Sequence, residues 1–503
     1  MNIDRVSHGS GSFGKRWIFR LLAVLIGLLP LLAIEATFRA ADWGRPRELD
    51  DPYVGFAATR PLFVLDEANA RYQIDPDRQQ YFRPDSFATK KGNNEFRIFC
   101  LGGSTVQGRP YAIETSFTTW LELSLRAADD RHDWEVVNCG GISYASYRLV
   151  PILRELLDHE PDLFIIYTGH NEFLEDRTYR EVKNTSETVR YCHAIFSNLR
   201  TYNSVRSLWS RITNREVTPT APQNELPIEV DALLDYRGGL ADYHRDDGWK
   251  RGVVAHYRLN VLRMIDLARS ARVPVLLVNP VSNLRSCPPF KLELSRHLST
   301  AERAAFQDAW DAARFYDGRD PDEKIELLKR VLTIDNRHPG AHYLIAKSYE
   351  WAGRLDEAAE AYLRAKEEDI CPLRMIEPLH DALGEVSRAT RTPLVDARAL
   401  IEKESQFGTP GDGWLLDHVH PSINGHQLIA DELLEAMARM GLMRPKANWR
   451  TERKRQFATH LNSLSDLYFA RGKQRLEGLI RWTQGRADKL KADGKHGPGR
   501  RSD

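Results

Sequence analysis

The feature that most constrains this chain is a series of short apolar runs, each ending on glycine or a small polar residue. Phe96 to Leu101, broken only by Arg97, stops at Gly102-Gly103-Ser104-Thr105, and helical spacing follows from Phe117 to Ala127. Glu135 to Asn138 leads through a glycine-containing turn to a helix near Tyr147–Leu157, and Leu163 to Tyr167 ends at Gly169-His170-Asn171-Glu172. A long helix over about His256–Ser270 precedes Val273–Val278, and Pro393–Asp396 supplies a fifth strand. Strands that are apolar throughout, rather than alternating, are covered on both faces, and their alternation with helices predicts a parallel sheet with right-handed crossovers. The fold class is α/β.

In such a sheet, substrates bind at the carboxyl ends of the strands. Ser104 follows a strand through two glycines, which suits a hydroxyl held at that edge; the plainer reading is a turn with a helix cap. The motif is neither a G-x-S-x-G elbow, since position 106 is Val, nor a phosphate-binding loop, since no Gly-Lys pair follows. Asp417 and His420 lie three apart in Leu416-Asp417-His418-Val419-His420-Pro421, a spacing that sets a carboxylate against one imidazole nitrogen and leaves the other for a nucleophile. The plainer reading there is a His-rich loop capping the helix from Asn424, with His418 and His426 on the surface. Asn171, at a strand end, offers a side-chain amide for an oxyanion hole, or is an ordinary turn former.

Ser104 in Gly-Gly-Ser-Thr, the turn Asn138-Cys139-Gly140-Gly141-Ile142-Ser143-Tyr144, Gly169-His170-Asn171-Glu172 and Asp417-x-x-His420 resemble, in order, the four blocks of the SGNH/GDSL hydrolases. The resemblance covers about residues 96–180, 250–285 and 390–440. It implies a flavodoxin-like sheet, Ser104 as nucleophile, His420 as base, Asp417 as its orienting acid, and an oxyanion hole built from the Ser104 amide and Asn171. For the second block the preferred register puts the Ser143 amide in that hole, with Gly140 as the rival. Glu172 stands where the family more often has Asp. The implied activity is ester hydrolysis, or O-acyl transfer to a sugar hydroxyl in the cell envelope or on an exopolysaccharide, without cofactor or metal. An acyl-ester substrate, carbohydrate among the candidates, is the expected partner.

Between the fourth and fifth strands, Ala346, Tyr349, Gly353, Leu355, Ala358, Tyr362 and Ala365 follow the spacing of a 34-residue tetratricopeptide hairpin. A degenerate copy precedes it at Ala312, Phe315, Arg319, Pro321, Lys324, Leu328 and Val331. Two repeats fall short of a self-standing array, so they lean on the body or on a protein or peptide partner. A scaffold with an inert body is the competing class; the complete Ser104, Asn171, Asp417 and His420 set favours an enzyme. Cys287 and Cys371 bracket the insertion, and two readings stand: a disulfide that clamps its base, or two unrelated loop cysteines. Cys100 and Cys139, at strand ends, read as buried hydrophobes.

Lys15, Arg16 and Arg20 precede the uncharged run Leu21–Ile34, while Glu35 and Arg39 spoil a cleavage site. An uncleaved membrane anchor is favoured over a signal peptide, with the rest of the chain outside the cytoplasm. The 71 Lys and Arg against 70 Asp and Glu leave a net charge of +1, which argues against nucleic acid as a partner. The expected organisation is an anchor or signal segment at 1–40, a lead-in at 41–95, and a hydrolase core at 96–290 and 376–443. A helical insertion occupies 291–375, and 444–503 forms a helical extension, packed on the repeats, with a disordered basic tail after Asp493.

Overall fold

The computed structural model describes residues 60–177 and 224–487, with interrupted stretches between 27 and 56 and between 200 and 205. The chain divides into two units, Met1–Gly55 with Arg177–Glu225, and Phe56–Asp176 with Leu226–Asp503. In the first, the Glu35 carboxylate accepts from the amides of Arg200 (3.0 Å) and Thr201 (2.9 Å). Most of the expected anchor and the whole tail after Asp493 lie outside the described residues. Among the described residues no helix is long and apolar enough to cross a membrane.

The second unit is built on five parallel strands, β1 (Glu95–Gly102), β2 (Asp133–Gly140), β3 (Leu163–Tyr167), β4 (Val275–Asn279) and β5 (Leu394–Asp396), in the order β5-β4-β3-β1-β2. In register, Gly102 pairs with Gly140 on one side and Tyr167 on the other. This is the flavodoxin-like order, whose switch point falls between β1 and β3 at their carboxyl ends. Alternate side chains feed two cores. Ile98, Cys100, Ile165, Tyr167 and Leu276 pack with Trp120 and Leu121 of α2 (Phe117–Ala128) and Ile429 and Leu433 of α11 (Ile423–Arg439). The opposite face is covered by α3 (Ser146–Leu156), α4 (Asp247–Ser270) and α9 (Glu377–Thr390). The helix α4 begins nine residues before its expected start, capped by Asp246 on the Trp249 amide.

The lead-in is more regular than its sequence suggests. Phe63–Asp66, Arg71–Ile74 and Ser86–Ala88 form a small antiparallel sheet, and Phe63 and Phe87 pack edge-on against Phe99 of β1. The Glu155 carboxylate ties it to α3 through the amides of Leu62 and Phe63.

In the insertion, α5 (Thr300–Arg314), α6 (Pro321–Ile334), α7 (Pro339–Trp351) and α8 (Leu355–Glu367) each pack on the next around their own apolar cluster. The starts of α6 and α8 are 34 residues apart. The link Phe315–Asp320 is longer than Ala352–Arg354, so the spacing slips in α5: Ala313 is buried where Ala312 was expected, and Phe315 is 69% exposed. Phe306 and Trp310 fill the groove instead.

One open reading is decided and one expectation is corrected. Of the two readings of Cys287 and Cys371, the unlinked one holds, both being free thiols. The Cys287 thiol turns to the Pro288 carbonyl (3.6 Å) while Cys371 is buried. A buried carboxylate holds the base of the insertion instead: Asp369 accepts from the amides of Phe290 (2.9 Å), Lys291 and Cys371, and faces Arg374, which donates to the carbonyls of Asn283 and Cys287. Second, the C-terminal helices pack on the α/β body. Trp449 and Phe457 of α12 (Trp449–Ser463) join the core against Trp120, and Tyr468 of α13 (Asp466–Thr483) stacks on Tyr111.

Candidate active site

Of the residues singled out in the sequence, Ser104, Ser143, Asn171 and His420 line a cleft of about 410 Å3 at the carboxyl ends of β1 and β3, and Asp417 is bonded to His420. Ser104 is the first residue of a single helical turn, α1 (Ser104–Gln107), that leaves β1 through Gly103. Its hydroxyl lies 2.7 Å from His420 Nε2, and His420 Nδ1 lies 2.7 Å from Asp417 Oδ2. The other oxygen, Oδ1, accepts the amides of Val419 and His420, both at 2.9 Å. The Asp417-Val419-His420 turn therefore orients its own carboxylate before any packing is considered. The Ser422 side chain caps α11 immediately afterwards.

The electrostatics follow from this packing. Burial pushes the Asp417 carboxyl up, but His420 and His418 beside it and the bonds it accepts outweigh that, holding it well below the ordinary carboxylate range. It is an anion at neutral pH. His418 and His426, which the plainer reading leaves on the surface, are both buried. Burial pushes His418 down to about 4 and His426 to about 3, so both are neutral imidazoles. His418 Nδ1 stands 3.4 Å from the same Asp417, and the Phe117 amide donates to His426 Nδ1 (3.2 Å).

Three residues with polar donors line the cleft beside the Ser104 hydroxyl: Ser104 itself, Ser143 and Asn171. The Ser104 and Ser143 amides border the cleft, and among the described residues neither donates to another group. Ser143 takes a left-handed backbone with φ 63°. Asn171 Nδ2 donates one hydrogen to the Tyr144 carbonyl (3.0 Å), leaving its second. Gly103 makes this possible: a Cβ there would sit 2.4 Å from Asn171 Nδ2. The rival candidate, Gly140, has its amide engaged. Its amide donates to Asn138 Oδ1 (3.0 Å), and a Cβ on it would meet the Gln107 nitrogen at 2.2 Å, so it packs against α1 away from the cleft.

Glu172 acquires a physical role. Fully buried, it accepts from the Ser146 amide (2.8 Å) and hydroxyl (3.0 Å) and so caps α3 in place of Ala145, whose side chain has no cap to give. This ties the Ser143 turn to the strand end bearing Asn171. His170 accepts the Met375 amide (3.2 Å), fastening the chain that returns from the insertion beside the cleft, where Leu373 lines it.

Several cleft residues carry no motif. Tyr81 comes from the lead-in, where its carbonyl also receives the Ile142 amide (2.9 Å). Arg475, Leu479 and Trp482 come from α13, and Trp482 donates to Asp235 (2.9 Å). Arg109 follows the serine turn; its nearness to Ser104 in sequence was the one available signal. Among the described residues no cluster of His, Cys, Asp and Glu is arranged to hold a metal.

No protein-family model matches the chain, and no curated protein matches it. Among solved structures it is similar to a lipase/acylhydrolase from Enterococcus faecalis, at 14% identity and a TM-score of 0.32, over 70% of this chain and 98% of that one. It is also similar to an acetylxylan esterase from Geobacillus stearothermophilus, at 12% identity and a TM-score of 0.31, over 69% and 96% of the two chains. A third is a protein assigned to the G-D-S-L lipolytic family from Desulfitobacterium hafniense, at 11% identity and a TM-score of 0.29, over 68% and 99%.

Proposed function

We propose that this chain is an SGNH/GDSL-type serine hydrolase acting on acyl esters. The carrying observation is the unbroken line from Asp417 through His420 to Ser104, 2.7 Å at each step, under a cleft bordered by unengaged amide donors. Ser104 Oγ attacks the ester carbonyl as His420 Nε2 takes its proton, and the carbonyl π electrons move onto oxygen. The oxyanion is received by the Ser104 and Ser143 amides and Asn171 Nδ2, and Asp417 stabilises the imidazolium. Collapse expels the alcohol, which takes the proton from His420 and leaves an acyl-Ser104. Water, activated by the same imidazole, releases the acid. A sugar hydroxyl in place of that water would make the chain an O-acyltransferase with the same residues; adding free glycan to the assay and weighing the products separates the two.

The proposal extends to the setting. The basic flank and apolar run before Glu35 support a membrane anchor with the catalytic unit outside the cytoplasm, and the α5–α8 hairpins support a tetratricopeptide-type surface for a protein or peptide partner. The test of function is hydrolysis of short-chain p-nitrophenyl esters and acetylated polysaccharide by the chain and its Ser104→Ala variant. Turnover that vanishes in the variant supports the reading; equal rates overturn it.

A further inference from the structure

One wall of the cleft carries positive charge that nothing in the hydrolytic scheme uses. Arg109 and Arg475 both line it. The Arg109 amide is bonded to the Ser104 carbonyl (3.1 Å), which fixes its backbone to the nucleophile turn. Arg475 reaches in from α13, aimed by the carbonyls of Tyr111 (2.8 Å) and Pro110 (3.4 Å) rather than by an acid. Arg83 stands with them, acting electrostatically on Arg109 and acted on by Arg475.

Elsewhere the chain matches its buried guanidinium groups with carboxylates: Arg97 with Glu95 and Glu135, Arg148 with Glu175, Arg374 with Asp369. No carboxylate among the described residues lies within 4.0 Å of Arg83, Arg109 or Arg475. The Nε atoms of Arg83 and Arg109 are buried without a hydrogen-bond partner. The acids nearby are engaged otherwise: Asp417 with His420, Asp235 with the Trp482 indole, while Glu114, which acts on Arg83, is exposed. Burial pushes Arg109 down to about 10, and Arg83 and Arg475 reinforce the shift. The half-buried Arg83 and Arg109, partly desolvated with no counter-ion, are costly to hold side by side, and an oxyanion group supplies both the charge and the planar acceptor geometry that guanidinium recognises.

We propose that Arg109 and Arg475, backed by Arg83, form an anion subsite beside Ser104, and that the ester this chain acts on carries a carboxylate, phosphate or sulfate. The inference rests on the reading of Ser104 as nucleophile and names the substrate class of that site.

The test uses matched esters that differ only in charge, on the full chain. One pair places the charge on the acyl half, p-nitrophenyl pentanoate against mono-p-nitrophenyl glutarate. The other set places it on the alcohol half, an acetylated methyl glucoside against its uronic acid and its 6-phosphate, whose ranking separates carboxylate from phosphate. We expect kcat/KM for a charged member to exceed its neutral partner by about tenfold or more, equivalent to about 1.4 kcal/mol. The ratio should fall toward one in Arg109→Gln and Arg475→Gln, be partly kept in Arg109→Lys, and shrink in about 0.5 M salt. A ratio near one in both comparisons, with Ser104 still reacting with a neutral phosphonate, overturns the subsite and leaves the ester chemistry standing. If Ser104 neither reacts nor turns over any ester, the hydrolase reading has failed, and the subsite is then judged by equilibrium dialysis of methyl glucuronoside, methyl glucoside 6-phosphate and methyl glucoside against the full chain. Tighter binding of a charged sugar, lost in Arg109→Gln, supports it; equal binding of all three overturns it.

Discussion

Replacing Asp417 by Asn tests the logic of the site at one atom. The two carboxylate oxygens do different work: Oδ1 accepts the Val419 and His420 amides, and Oδ2 faces His420 Nδ1 at 2.7 Å. An Asn side chain has two ways to sit there. With its NH2 toward the backbone amides it would set donor against donor twice, at about 1–3 kcal/mol for each unsatisfied group. Its carbonyl oxygen therefore keeps the amides, and its NH2 faces His420 Nδ1. That forces Nδ1 to accept, moves the imidazole proton to Nε2, and points it at Ser104 Oγ, which then has no base. With the wrong tautomer imposed, kcat/KM should fall by about 10³–10⁴, or about 4–5.5 kcal/mol of transition-state stabilisation. The fold should survive, because both amides keep an acceptor. The assay is steady-state ester hydrolysis beside thermal unfolding. A folded variant that loses less than about tenfold would refute the assignment of Asp417 as the group that sets the His420 tautomer.

Three further expectations follow from the same geometry. Gly103→Ala places a methyl 2.4 Å from Asn171 Nδ2 and should push the amide off the oxyanion, lowering turnover by about 10²; unchanged turnover would mean that Asn171 does not serve there. Gly472→Val forces a side chain into Tyr111, which lies 2.1 Å from a Cβ at that position, so α13 must lift from the cleft. KM should rise more than kcat falls, and unaltered KM would contradict α13 as a wall. Asp85 is pushed up to about 6 by burial, against bonds from the Asn138 and Ser86 amides. A folded carboxyl with a pKa above its unfolded value near 4 holds its proton more tightly than the unfolded chain does. Its contribution is complete below about pH 4 and is lost as pH rises through 6, by about 3 kcal/mol in all; Asp85→Asn should flatten urea-measured stability over that window, and an unchanged slope would remove Asp85 as its cause.

The sheet was legible because parallel strands are apolar on both faces. Leu163–Tyr167 has the observed bounds, and β1 and β2 extend their expected runs by only a residue or two at each end. The proposed site was legible because the blocks that resemble the SGNH pattern lie at strand ends, and the fold brings Ser104, Asn171 and His420 to one cleft, with Asp417 bonded to His420. What the sequence hid was partnership. Helical spacing marks a buried face on α13 but not what buries it, so a helix expected on the repeats lies over Tyr111 and the active cleft. The lead-in strands have three or four residues each, with Leu65 half exposed, too little for an alternating pattern. Cys287 and Cys371 left a clamp open as one of two readings because both flank the insertion; the Asp369 and Arg374 pair that holds it is marked by no motif. Register preferred Ser143 but left Gly140 as a rival, and the Asn138 bond to the Gly140 amide is a contact that no motif marks.

The most direct test of the central claim is covalent: the folded chain is incubated with a serine-directed phosphonate and digested, and the adduct is located by mass. One adduct per chain is expected, on Ser104, formed slowly or not at all in His420→Ala. A folded chain that stays unlabelled, or that carries the adduct on another residue, would contradict it.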